Sequence, residues 1–168
     1  MTYNFDEFKK KHAQVIEFCQ IIEYELKYID NYLYLLNGYS QDSEAILYLF
    51  NATLRDLANI LKSFVMQMPE NLYYDAQRIL SEIFPRVAVR NFWAHNSFTD
   101  LRFAKDDDED IDSSKTYEAV CKKLDESYMD FNRICVLVKS FKIQILKIST
   151  NKGIEELGQQ LYTRTKRG

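Results

Sequence analysis

Apolar residues recur in steps of three and four through most of the chain. Phe8, His12, Val15, Cys19, Ile22, Leu26, Ile29, Leu33 and Leu36 form the first such row. Steps of three and four return to one helix face, so the row predicts a helix over roughly 4–37 with its stripe packed on other helices. Asn37-Gly38 supplies a stop, and Ser40-Gln41-Asp42-Ser43 restarts the chain. Ile46, Phe50, Thr53, Leu57, Ile60 and Phe64 predict a second helix, ending near Met68-Pro69 because the residue before proline is pushed out of the α region. A third pattern begins near Leu72, carries Ile79, Leu80 and Ile83, and resumes through Val89, Phe92 and Trp93. Between its halves Pro85 has no amide proton to donate, which predicts a kink or break. Residues 99–114 are polar and lack apolar period, the pattern of an exposed acidic loop. Tyr117, Val120, Leu124, Phe131, Ile134, Val138, Phe141, Ile145 and Ile148 predict a fourth helix over about 115–148, followed by a short segment over 154–162 and a loose tail over 163–168.

The expected architecture is therefore a single all-α domain over 1–168, a four- to five-helix up-and-down bundle. Composition supports it. With 4 Gly and 2 Pro in 168 residues and 46% hydrophobic residues, the chain is neither a disordered tail, a collagen-like fibre nor a turn-dense β-sandwich. No internal repeat is present. No apolar run approaches the length of a membrane span, and the first residues lack the basic-then-apolar order of a signal peptide, so a cytoplasmic protein without membrane association is expected. Cys19, Cys121 and Cys135 show no Cys-x-x-Cys spacing and sit among apolar neighbours, which makes them core thiols. The 12 Tyr and 11 Phe fall at helical spacing and are read as core filling rather than a base-stacking array.

Charge is unevenly distributed. The net charge is −3, yet the run Asp106-Asp107-Asp108-Glu109-Asp110-Ile111-Asp112 alone holds six acids, so the rest of the chain is mildly basic. Between 139 and 168 seven basic residues, Lys139, Lys142 and Lys147 among them, face only Glu155 and Glu156. That stretch is a candidate RNA-backbone footprint, and equally an ordinary lysine-rich helix face.

Two histidines limit where general acid–base chemistry can occur near neutral pH. His12 lies on the first apolar row with no Glu-x-x-His or His-x-x-x-His partner, and reads as structural or incidental. His95 ends the run Arg90-Asn91-Phe92-Trp93-Ala94-His95. On a helix Asn91 and His95 share a face, so the amide can orient the imidazole. Arg90 lies further round but its guanidinium is long, and Arg86 one turn earlier shares its side. A permanently charged fork beside an imidazole suits a phosphodiester, since arginine neutralises phosphate oxygens while histidine moves a proton. Glu17, Glu23, Glu25, Asp30 and Asp56 are acids on the first two helices, any one of which could brace Arg90. A di-metal helical bundle is excluded by the lack of a Glu-x-x-His pair.

The Arg90-to-His95 run resembles the R-x-x-x-x-H signature of the HEPN superfamily, small all-α bundles whose active members are metal-independent ribonucleases. The resemblance implies a homodimer in which the motif faces its copy, RNA as substrate, no metal or other cofactor, and a setting in toxin–antitoxin or anti-phage defence with an antitoxin or other protein partner. It assigns proton transfer to His95, phosphate stabilisation to Arg90, and orientation of His95 or the sugar to Asn91. Weaker RNA contacts fall to Arg86, Lys139, Lys142 and Lys147. The alternative is a non-catalytic helical module that binds RNA or a protein. One protomer offers only His95 beside Arg90, since His12 lies outside the motif, so the two-fold axis is expected to build a composite cleft in which each His95 takes one role.

Overall fold

The computed structural model describes the backbone of residues 2–96 and 113–167, and the side chains of residues 2–96 and 117–147. The expected acidic loop over 99–114 falls mainly outside these residues. Among those described there is no strand, and the chain is all-helical.

The first apolar row becomes α1, Phe5–Leu36. Its start is fixed reciprocally: the Glu7 amide donates to Asn4 Oδ1 at 2.9 Å and the Asn4 amide donates to Glu7 Oε2 at 3.1 Å. Its end follows the Asn37-Gly38 signal. Gly38 takes φ 86°, a left-handed conformation that side chains with a Cβ disfavour. The turn lets the Gly38 amide reach Leu35 O at 3.1 Å and the Tyr39 amide reach Tyr34 O at 3.1 Å. The Tyr34 and Tyr39 rings close it edge to face at 4.9 Å.

The second expected helix is two. Glu44–Tyr48 forms α2, a 3-10 turn covers Leu49–Asn51, and α3 begins anew at Leu54–Val65. Thr53, which sits on the apolar row, is a cap rather than a core position. Its hydroxyl accepts from the Asp56 amide at 3.2 Å, and Asp56 Oδ2 accepts from the Thr53 amide at 3.0 Å. That break turns Phe50 outward, 74% exposed.

Glu70–Ile83 is α4, a 3-10 turn over Phe84–Arg86 carries Pro85, and Val87–His95 is α5, so the expected proline break is present. Ser113–Arg167 is α6. Its backbone stays helical beyond 148, where a separate segment over 154–162 and a loose tail over 163–168 were expected. Gly153 inside a helix costs only about 1 kcal/mol relative to alanine, and no proline interrupts the run.

The chain packs as two units. Met1–Gln20 with Arg86–Arg133 forms one, Ile21–Pro85 with Ile134–Gly168 the other, so α1 and α6 contribute to both. In the first unit Phe8, Val15, Val87, Trp93, Leu124 and Phe131 are buried. In the second the buried set includes Leu26, Ile29, Leu57, Leu61, Ile79 and Phe141. All three cysteines are buried, and none is in a disulfide among the described residues. No described helix is long and apolar enough to cross a membrane.

Candidate functional site

Proline decides where α5 starts, and a single buried indole decides how it is held. Val87 and Trp93 are the buried residues of α5. Trp93 is 1% exposed, and its Nε1–H donates to Ser127 Oγ on α6 at 2.8 Å. A buried indole N–H needs such a partner, so the bond fixes the ring as well as satisfying it. Phe8 on α1 packs against the same indole, ring centres 6.5 Å apart.

With the apolar side of α5 committed inward, Arg90 and His95 border a cleft of about 480 Å³ within the first unit. From α5 and its cap the wall takes Arg90, Ala94, His95 and Asn96, and from α1 it takes His12 and Gln20. His95, the last residue of α5, is exposed, and the C-cap Asn96 is tied down by its Nδ2–H donating to Phe92 O at 2.8 Å. Arg90 and His95 thus border one cleft.

His12 is the residue that sequence reasoning set aside. It sits in the α1 row between Phe8 and Val15, both 0% exposed, yet it is only half-buried and lines the cleft. Its Nε2 lies 2.9 Å from Trp93 O, and its ring centre is 5.6 Å from the indole. Although it lies outside the Arg90–His95 motif, His12 borders the same cleft, so one protomer brings two imidazoles to it. No spacing signal could have found it, since 81 residues separate it from its partner Trp93.

The remaining candidates divide. Asn91 is exposed, and the hydrogen bond at its Oδ1 comes from Arg90 Nη1 at 3.4 Å. Arg86 lies at the start of α5 with its Nε 3.0 Å from Asp130 Oδ2, and Arg133 Nη2 donates to the other oxygen at 2.9 Å. Partial burial alone would raise the Asp130 carboxyl. The hydrogen bonds from the two arginines outweigh it and hold the group below its ordinary value. Arg86 therefore clamps α5 to α6 and does not line the cleft. On the other unit Lys142 lies 2.6 Å from Glu25 and 5.0 Å from the centre of the Tyr28 ring, so its charge is matched locally. Lys139 and Lys147 are exposed. Of the acids considered as a brace for Arg90, Glu25 pairs with Lys142, Asp56 caps α3, and Asp30 is buried.

A second clamp holds the start of α1 beside the cleft. Lys11 Nζ meets Asp125 Oδ1 at 2.5 Å and Tyr3 Oη at 2.7 Å, and Tyr3 also donates to Asp125. Tyr117 Oη donates to Tyr3 O at 2.7 Å, and burial, followed by its hydrogen bond with Cys121, pushes that phenol up to about 12. Among the described residues no group of three or more His, Cys, Asp or Glu side chains gathers to hold a metal ion.

No family model, curated protein or solved structure matches this chain. Function is therefore argued from the cleft itself and from the motif on its rim.

Proposed function

We propose that this chain is an endoribonuclease of HEPN type, an all-helical HEPN-like bundle that acts as a cytoplasmic homodimer in toxin–antitoxin or anti-phage defence. The observation that carries the reading is the convergence of Arg90 and His95 on one solvent-open cleft of about 480 Å³. Arg90 supplies a fixed positive fork for the non-bridging phosphate oxygens, and His95 supplies proton transfer. The ribose 2′-hydroxyl is the nucleophile, so a 2′,3′-cyclic phosphate and a 5′-hydroxyl are the products. Lys139 and Lys147 add backbone contacts to longer RNA.

Purified protein incubated with a mixed-sequence RNA in EDTA tests the proposal. Cleavage leaving cyclic phosphate ends, with an all-deoxy strand of the same sequence untouched, is the expected result. Dependence on added metal or cleavage of DNA would overturn the mechanism.

A second reading, a non-catalytic binding module, draws on a different observation. Tyr24, Leu47 and Phe50 are exposed around a groove of about 510 Å³ in the second unit. RNA retained without cleavage in the same assay would favour it.

A further inference from the structure

The cleft contains a second imidazole, and its surroundings determine which nitrogen can do chemistry. A carbonyl oxygen only accepts hydrogen bonds, so the 2.9 Å contact with Trp93 O requires the proton on His12 Nε2. In the neutral ring Nδ1 then carries the lone pair. The acceptor is itself fixed: Trp93 is anchored by its indole N–H to Ser127 at 2.8 Å and belongs to the same helix as Arg90 and His95. His12 is therefore oriented by the backbone of the element that presents the other two groups. This is how a second partner fixes the tautomer of a working histidine.

A purely structural role explains less. Satisfying one carbonyl does not need an imidazole, and a position between two fully buried apolar residues of the same row does not need a half-exposed polar ring. Transesterification, by contrast, needs two proton-transfer groups, one at the attacking oxygen and one at the departing oxygen.

We propose that His12 is the second proton-transfer group of the Arg90–His95 cleft, so that each protomer carries a complete acid–base pair. The inference rests on the ribonuclease reading and deepens it. His12 Nδ1 takes the proton from the 2′-hydroxyl as the O2′–P bond forms. The P–O5′ bond breaks, and protonated His95 delivers its proton to O5′. Arg90 meets the charge on the non-bridging oxygens throughout. The products are the cyclic phosphate and the 5′-hydroxyl, and the two imidazoles return to their starting states by exchange with water.

Because the chain has 2 histidines, imidazole signals in histidine-selective 15N-labelled protein are assignable from His12→Gln and His95→Gln alone. Uridine 3′-monophosphate is the probe. Both imidazoles should shift along one binding curve, and both responses should vanish in Arg90→Ala. A response at His95 without one at His12 overturns this inference and leaves the ribonuclease reading standing. Silence at both overturns the reading of the cleft as a phosphate site, and the inference with it.

Rates provide the second arm. His12→Gln keeps an N–H for Trp93 O but cannot accept a proton, so kcat should fall about 100-fold or more with KM little changed. Free imidazole should restore part of the rate in His12→Gly. Full activity in His12→Gln, or no rescue in a folded His12→Gly, overturns the role. Mixing His12→Gln with His95→Ala subunits should restore nothing, because neither protomer then holds both imidazoles. Recovered activity would place the pair across the dimer and overturn the single-protomer arrangement.

Discussion

One buried acid of the second unit contrasts with the partnered polar side chains of the first. In the first unit the polar groups that hold α1, α5 and α6 are partnered, some buried and some part-exposed: His12 with Trp93 O, Trp93 with Ser127, Lys11 with Asp125, and Arg86 with Asp130. In the second unit Asp30 is 0% exposed, and among the described residues neither of its carboxylate oxygens has a hydrogen-bond partner. Burial drives that carboxyl well above its ordinary value. A partnered polar group orients its neighbours, whereas an unpartnered buried one carries a desolvation cost with nothing to offset it. The partnered groups of the first unit thus hold α5 and the cleft beside it in place. Asp30 is a weakness in the second core.

The largest effect should come from the cleft and should be confined to activity. Arg90→Ala and His95→Ala are expected to abolish RNA cleavage, a loss of about 1,000-fold or more, with melting temperature nearly unchanged because His95 is exposed and neither side chain fills the core. Equal loss of fold and activity would erase the contrast between the units.

Asp30→Leu should do the reverse, raising stability by about 1–3 kcal/mol in chemical denaturation and leaving cleavage intact. The pH dependence has a definite sign. With the folded carboxyl raised, the contribution of Asp30 is most favourable below the unfolded value of about 4, declines as pH rises from there through the folded value, and then levels off. Asp30→Asn should remove this decline. Denaturation midpoints collected from pH 4 to 8 measure it, and an unchanged slope would show that the carboxyl finds a partner in solution.

Trp93→Phe sharpens the comparison within the first unit. It keeps an aromatic ring but removes the donor to Ser127, so about 1–2 kcal/mol of stability should go. The main-chain carbonyl that holds His12 remains, and cleavage should largely survive at temperatures where the variant is folded. Smallest is Asp130→Asn. Both members of its pair with Arg86 are partly exposed, at 24% and 29%, and solvent screening limits the loss to about 0.5–1 kcal/mol. Because the Asp130 carboxyl is held low, that contribution is present above the unfolded value of about 4 and lost in wild type as pH falls through the folded value.

Helix existence was legible along the chain because burying one face of a helix forces a period of three and four on the sequence. Local chemistry set several limits as well: Asn37-Gly38 ended α1 through a left-handed turn, and Pro85 broke the third pattern by lacking an amide proton. That Arg90 and His95 could share a cleft was legible because they lie five residues apart on one short helix. Thr53 was misread because a cap and a core position can occupy the same place in an apolar row. The reciprocal bonds with Asp56 distinguish them only once the backbone has turned.

What tertiary structure alone decided involves residues far apart in the chain. Lys142 belongs to Glu25, and Arg86 to Asp130, because folding matched charges across helices, an arrangement with no sequence period. His12 reaches the cleft for a related reason. Its place in the α1 row follows from local periodicity, but its partner is a main-chain carbonyl on α5, and every residue carries such a carbonyl. Nothing in the identity of Trp93 marks its oxygen in advance, so only the packing of α5 against α1 could bring the second imidazole to the cleft.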